Sequence, residues 1–502
     1  MRSSNFQLGR LIVGLALALT LGGSALAESS WNGRTLVEWA ARDSAFPLNV
    51  VWPGYERPLH QSRVDSFVTF DVDRPGRFET DLPEGVAFSA VRTRPLSRAQ
   101  GRLENGRLVF DVKGPEQFVV EFGEGRPQLH VFANPPFAYE RRPDDLYFGP
   151  GEHEAGLIEP KSGQRVCLAE GAVVYGALLL ENVTNVTITG RGILDSSKIR
   201  RTHSDGRYLR TLSAEEKADL TDVTSFMCRQ CANVRVEGVV FRDSPFWILI
   251  VRNGCRNVVF DNVKTVGQWR YNADGIDICG CEDVVVRNSF IRSFDDSFVV
   301  RDGGISSDLG SYQPARNIRC ENTILWCDWG YNFKAQLTGK RGALIENVVV
   351  SNCVFANVQN AGIVIAARPG GPDVTIRDVT VAGIEYDVPP PRYGSEMMTQ
   401  GPRQKFVGRL RTQVGLFDVM NYDLMRKDKD GKSRQIDVSN FNILYDRLTF
   451  RDFRVLGEYS SLHGRFSLTA GKEEIRDLVL ENLPEGVYYS KKATFTNPKG
   501  LK

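Results

Sequence analysis

The sequence has no block of basic residues, and its formal net charge is only +2. Proteins held to nucleic acid by neutralising phosphates carry such blocks, so no nucleic-acid partner is expected. Past the first residues no segment is apolar enough to span a bilayer. Histidine is scarce, with five copies at 60, 130, 153, 203 and 463. The nine cysteines include one Cys-x-x-Cys, Cys228 and Cys231, with no second pair at zinc-finger spacing. Cys279 and Cys281 are two apart, hence on one face of a strand. Core packing is the reading for these thiols, and neither a metal nor a cofactor is expected.

What is present is ordinary in bulk and ordered in pattern. Hydrophobic residues make up 42% and charged residues 25%, as in globular proteins. A length of 502 residues exceeds one ordinary domain. At the start, Arg2 and Arg10 flank the apolar run Leu11 to Leu21, and Ala25-Leu26-Ala27 is a small-x-small site. That is the layout of a secretory signal, too short to anchor in a membrane. Residues 1–27 are read as a signal peptide, cleaved after Ala27 without membrane insertion. The mature chain is expected in the periplasm or outside the cell, as a monomer.

Residues 28–146 alternate apolar and polar side chains in short runs, such as Ser66-Phe67-Val68-Thr69-Phe70 and Leu108-Val109-Phe110-Asp111-Val112, with Pro-Gly and Glu-Gly turns between them. This predicts a small antiparallel β-sandwich-like domain. Pro135-Pro136 and the charged stretch to Asp145 read as a linker. From about Tyr147 a repeat takes over: Cys231-Ala232-Asn233-Val234-Arg235-Val236, Cys255-Arg256-Asn257-Val258-Val259-Phe260 and Cys281-Glu282-Asp283-Val284-Val285-Val286. Asn233 and Asn257 are 24 residues apart, and Asn257 and Asp283 are 26 apart. Such a period marks stacked units. The unit has no room for a helix and lacks the fixed leucines of leucine-rich repeats. Residues 147–502 are therefore predicted to be an all-β right-handed parallel β-helix, with Cys231, Cys255 and Cys281 at equivalent positions. Polar insertions at 196–225 and 385–437 read as loops, and runs near 441–455 and 475–483 as closing coils or a cap.

One constellation is costly unless it serves chemistry. Asn272-Ala273-Asp274-Gly275-Ile276-Asp277 is followed, 21 residues after Asp274, by Asp295-Asp296, close to one coil later. Stacked strands lie ~4.8 Å apart, so these carboxylates share a small volume. Crowding raises at least one carboxyl and sets an acid beside bases. Asp274, Asp295 and Asp296 are the candidate catalytic residues. Asn272, Asp277, Trp269, Tyr271, Arg301, Trp329, Tyr331 and Lys334 are the candidate substrate contacts, the four aromatic ones because aromatic faces stack on sugar rings. Trp247 and Trp326 lie on neighbouring coils.

These residues resemble the polygalacturonase family of glycoside hydrolases (family 28), with some similarity to the dextranase and isopullulanase family. The resemblance covers roughly residues 150–380. Asn272-Ala273-Asp274-Gly275-Ile276-Asp277 follows the family's Asn-Thr-Asp-Gly-x-Asp except at Ala273, Asp295-Asp296 is its Asp-Asp, and Gly190-Arg191-Gly192-Ile193-Leu194-Asp195 is similar to its Gly-x-Gly-x-x-Asp coil. The resemblance implies a right-handed β-helix of the pectin lyase type and an inverting hydrolysis of a polysaccharide or oligosaccharide. In it Asp295 protonates the leaving oxygen, and Asp274 and Asp296 activate water. The family's Gly-His-Gly falls at Asp328-Trp329-Gly330-Tyr331-Asn332, and its Arg-Ile-Lys near Gly362-Ile363-Val364-Ile365-Ala366, without the basic residues. A β domain ahead of the helix resembles the dextranase and isopullulanase family, whose substrates are neutral glucans. Pectic and neutral glucan substrates both stay open. The alternatives are a polysaccharide lyase, which needs a cation to neutralise a uronate, and a non-catalytic glycan-binding solenoid.

Overall fold

A computed structural model describes residues 28–44, 62–123, 126–199, 223–270, 272–303, 312–337, 341–358, 361–368, 372–389, 413–421, 425–427, 433–435, 442–468 and 473–501. Residues 1–27 and most of both polar insertions lie outside them. Within the second insertion, read as a loop, Gln413–Asn421 is instead a strand pairing in parallel with Ala361–Ala367 and Ser461–Ser467, its apolar residues turned into the core. Among the described residues no helix is long and apolar enough to cross a membrane.

Thirty strands, from Leu146–Phe148 to Thr494–Thr496, form one continuous sheet whose successive turns pair in parallel. Three strands make a coil. Ile276–Cys279, Glu282–Arg287 and Phe290–Ser293 are followed by Phe298–Arg301, Ala315–Glu321 and Ile324–Cys327. Each strand pairs with its counterpart one coil on, for example Ile276 with Phe298, Val284 with Ile318 and Phe290 with Ile324. The result is the right-handed parallel β-helix predicted from the repeat. The expected closing coils also join this sheet, through Ile443–Leu456 and Glu473–Arg476.

The asparagines of the repeat are corners. Asn233, Asn257, Asp283, Asn317 and Asn347 all have φ between 52° and 58°, a left-handed conformation that Asn and Asp tolerate best among residues with a Cβ. Each bend lets the next valine turn inward, so Val234, Val258, Val284, Ile318 and Val348 stack in the core. The corner amides also bond from coil to coil: Asn257 Nδ2 donates to Asn233 Oδ1 at 2.8 Å, and Asn347 Nδ2 to Asn317 Oδ1 at 2.8 Å. Cys231, Cys255 and Cys281 occupy equivalent buried positions beside this corner, each carbonyl accepting from the following coil. All nine cysteines are free thiols. Those of Cys228, Cys231 and Cys255 lie within 4.8 Å of one another, with Cys228 and Cys255 sulfurs 3.6 Å apart.

Ahead of the helix, two five-stranded sheets enclose a core of Trp31, Phe70, Phe78, Phe110, Phe118 and Val131. This departs from the predicted all-antiparallel sandwich in one pairing. Gln128–Asn134 runs parallel to Ser62–Asp71, because it enters the sheet between Ser62–Asp71 and Glu116–Glu121 and is antiparallel to the latter. The reason Gln128–Asn134 is buried along its whole length lies on the other side. Phe67, Val119 and Phe132 leave the sandwich core and pack on Ile193, Val240, Phe290 and Trp326 of the helix. One sheet thus serves two cores, and the third face of each middle coil is covered. The second face alternates buried and accessible positions, as in Glu282–Arg287. On the first face even the outward column, Ile250, Asp277, Val299, Lys334 and Val364, is buried.

Candidate active site

The aspartates meet at the turn leading from the third face of one coil to the first face of the next. Gly275 N donates to Asp296 O at 2.8 Å, and Ser297 N to Tyr331 O at 2.8 Å, so three consecutive turns are zipped together. By this register Asp274 sits beside Asp296 and Ala273 beside Asp295. The Ala273 carbonyl accepts from the amides of Phe294 and Asp295 at 3.1 and 3.3 Å. Its methyl is fully buried with Phe294, against Trp329, a small side chain in a tight seat.

Asp295 accepts from Asn272 Nδ2 at 3.1 Å and from the Asp296 amide at 2.9 Å. Asp296 accepts from Lys334 Nζ at 2.7 Å and from the Tyr331 amide at 2.9 Å. Arg301 reaches Asp277 at 3.3 Å and Asp274 at 3.6 Å, with its guanidinium 4.9 Å from the Trp247 ring centre. Asp274 Oδ1 is buried and accepts no hydrogen bond among the described residues. Four carboxylates therefore face two cations in a space nearly closed to water. Burial, then the charge of Asp296, pushes the Asp295 carboxyl up to about 7, with Lys334 opposing. Burial also raises Asp277 to about 7, Arg301 opposing. Asp274 is pushed well above the carboxylate range by burial and then by Asp295, Asp277 and Asp296.

The structure brings all three candidate catalytic residues together, with Asn272, Asp277, Arg301, Tyr331 and Lys334 touching them or one another. Lys334 Nζ lies 5.6 Å from the Tyr331 ring centre. Trp329 stacks on Phe294 at 5.7 Å and is partly accessible. Trp269 is 4% exposed, with Arg270 over its ring. It supports the turn and presents no open face. Trp326 faces the N-terminal sandwich, between Arg94 and Arg292 at 5.1 and 5.0 Å, because an even offset along its strand points outward on the third face. It belongs to no sugar cleft. Tyr271 lies outside the described residues.

Gly330 was not legible as a site residue. A Cβ there would lie 2.6 Å from the Oδ1 atoms of both Asp295 and Asp296, and 2.7 Å from Asp296 N. Glycine at this position lets the Asp328–Tyr331 turn close over the pair. Its one sequence cue is a glycine at the family's Gly-His-Gly position.

Residues 175–388 match the model of glycosyl hydrolases family 28. A probable polygalacturonase of Arabidopsis thaliana is 27% identical over 167 residues, 33% of this chain and 33% of the relative. A polygalacturonase of Brassica napus is 27% identical over 158 residues, 31% of this chain and 35% of the relative. The chain thus spans about a third of the length of these curated relatives. Among solved structures, Dex49A from Penicillium minioluteum superposes with a TM-score of 0.54 at 15% identity, over 87% of this chain and 89% of that one. That likeness extends over more than the family match and shows a shared fold. The chain is a right-handed β-helix that resembles the polygalacturonase family of glycoside hydrolases.

Proposed function

We propose that the protein is an exported glycoside hydrolase that cleaves a polysaccharide or oligosaccharide with inversion at the anomeric carbon. The observation that carries this reading is the buried set Asp274, Asp295 and Asp296, held on successive coils with more negative than positive charge. Stability alone does not select such an arrangement, since each uncompensated carboxylate is costly to bury. A family 28 match over the same coils agrees with it.

Asp295 is the general acid. A carboxyl raised to about 7 carries a proton at the pH where an ordinary aspartate has lost it. As the glycosidic bond breaks, that proton passes to the leaving oxygen. Asp296 is held by Lys334 and the Tyr331 amide as an acceptor and takes a proton from the water that attacks the sugar, while Asp274, its carboxyl held well above the usual range, hydrogen-bonds and orients that water beside it. Carbon–oxygen bond cleavage balances with carbon–oxygen bond formation from water, and no metal or cofactor enters. Export rests on the charged, then apolar, then small-residue pattern of residues 1–27.

The test is product analysis on polygalacturonate, rhamnogalacturonan, dextran and pullulan. Hydrolysis is expected on at least one, with the inverted anomer formed first in the NMR spectrum. An unsaturated product would establish a lyase, and a retained anomer would remove the inverting assignment.

A further inference from the structure

The N-terminal sandwich reaches the catalytic turn through one buried arginine. Arg292 lies on Phe290–Ser293, three residues before Asp295, and points out of the third face into the sandwich. There its Nη1 donates to Gln128 Oε1 at 2.9 Å and to His130 Nε2 at 2.7 Å. His130 in turn bonds through Nδ1 to the Ser66 carbonyl at 2.9 Å, which fixes the ring with Nε2 as acceptor. Asp43 and Asp65 stand 3.4 and 3.7 Å from the same Nη1. On its other edge the guanidinium grips Asp328, Nε to Oδ2 at 3.1 Å and Nη2 to Oδ1 at 3.4 Å.

Asp328 opens the turn that covers the catalytic pair. Its Oδ1 also accepts from Trp326 Nε1 at 3.0 Å and Asn357 Nδ2 at 3.1 Å, and its amide donates to the Ser293 carbonyl at 3.0 Å. Two residues on, Gly330 lies against Asp295 and Asp296, and the Tyr331 amide donates to Asp296. On the catalytic side Ser293 Oγ donates to the Asp295 carbonyl at 2.6 Å. Hydrogen bonds and ion pairs therefore run from the sandwich through Arg292 to Asp328, and from there the backbone of the turn leads to the Tyr331 amide on the Asp296 carboxylate, while Ser293 holds the backbone of Asp295.

Resting on the hydrolase reading, we propose that Arg292 is a positioning residue, which through Asp328 sets the turn that holds Asp295 and Asp296 and so makes turnover depend on the docked sandwich. Burying one arginine among three aspartates exceeds what adhesion needs, because apolar contacts already hold this interface. The arginine fork fixes direction as well as charge, which a lysine cannot do.

The test uses the full chain with Arg292→Lys, Asp328→Asn and the double variant, on whichever of polygalacturonate, rhamnogalacturonan, dextran or pullulan the wild type hydrolyses. Asp328→Asn keeps the size of the side chain and its Oδ1 acceptor, and decides the matter alone if Arg292→Lys fails to fold. Folded variants are expected to lose ~10–100-fold in kcat, the scale of a displacement of about 1 Å, with KM within about twofold and non-additive losses in the double variant. A purely structural role would leave kcat of the folded variants unchanged, and wild-type kcat in folded Asp328→Asn overturns the proposal. Failure of the hydrolase reading itself is distinguishable: there the wild type releases no sugar from any glycan, whereas here it is active and Asp295→Asn is not.

Discussion

Asp295 sits 8% exposed beside Asp296, and burial, then that neighbour, raises its carboxyl to about 7. The unfolded chain releases this proton near ~3.9. The native state therefore binds the proton more tightly across the window from about pH 4 to about 7. The stabilisation that follows is complete below that window and lost as pH rises through about 7. Replacing Asp295 with Asn removes the loss. The melting temperature of Asp295→Asn is expected to exceed that of wild type at pH 8 and to converge with it at pH 4. A gap independent of pH would contradict the raised carboxyl. Activity follows the same proton, with an alkaline limb near 7. Gly330→Ala addresses the geometry. Its methyl would meet both carboxylates at 2.6 Å, and kcat is expected to fall by ~10² while the chain stays folded. Wild-type kcat in that variant would show that the pair tolerates displacement. At this scale the sequence reveals the aspartates, because like charges one coil apart have no structural use. It hides Gly330, Arg292 and the burial of Trp269, since each depends on which turn closes over which.

From Asn185 to Asn347 the corner column contains one mismatch. Asn233 donates to Asn185, Asn257 to Asn233, Asn317 to Asp283 and Asn347 to Asn317, at 2.8 to 2.9 Å. Asp283 has the same left-handed backbone, φ 57°, but its carboxylate has no amide hydrogen to donate to Asn257. Asp283→Asn supplies that donor. It is expected to stabilise the protein by ~0.5–1 kcal/mol, the net worth of one hydrogen bond, read as a shift in denaturant midpoint at unchanged slope. No shift, or a loss, would show that the exposed corner bonds contribute nothing. The period and inward valines of these strands were legible because every coil repeats one pattern on one face. The first face was less so: its outward column is as buried as its inward one, and no alternation marks it.

One sandwich sheet lies between two apolar clusters, the sandwich's own core and the packing against the outside of the helix, whose interior core is separate. The sandwich strand Gln128–Asn134 turns Leu129 and Val131 to its own core and Phe132 to the helix. A chain lacking residues 28–134 would expose Val240, Phe290, Ile324 and Trp326 together, a contiguous apolar face that soluble proteins do not leave open. It would also leave Arg292 without its sandwich partners. This truncated chain is expected to be insoluble or without a cooperative transition by circular dichroism. A soluble, cooperatively folded product would mean that the helix stands alone. The sequence announced both folds but not their docking. Strand alternation tells inside from outside, and Phe67, Val119 and Phe132 read equally well as core residues of a sandwich packed on nothing else.

Whether these aspartates hydrolyse a glycosidic bond is decided by one comparison. Reducing-sugar release by wild type and Asp295→Asn is measured on polygalacturonate, rhamnogalacturonan, dextran and pullulan, with folding checked by circular dichroism. The expected result is release by wild type from at least one glycan and loss of ~10²–10⁴-fold in the folded variant, the range for a general acid. A folded Asp295→Asn protein with wild-type turnover would contradict it.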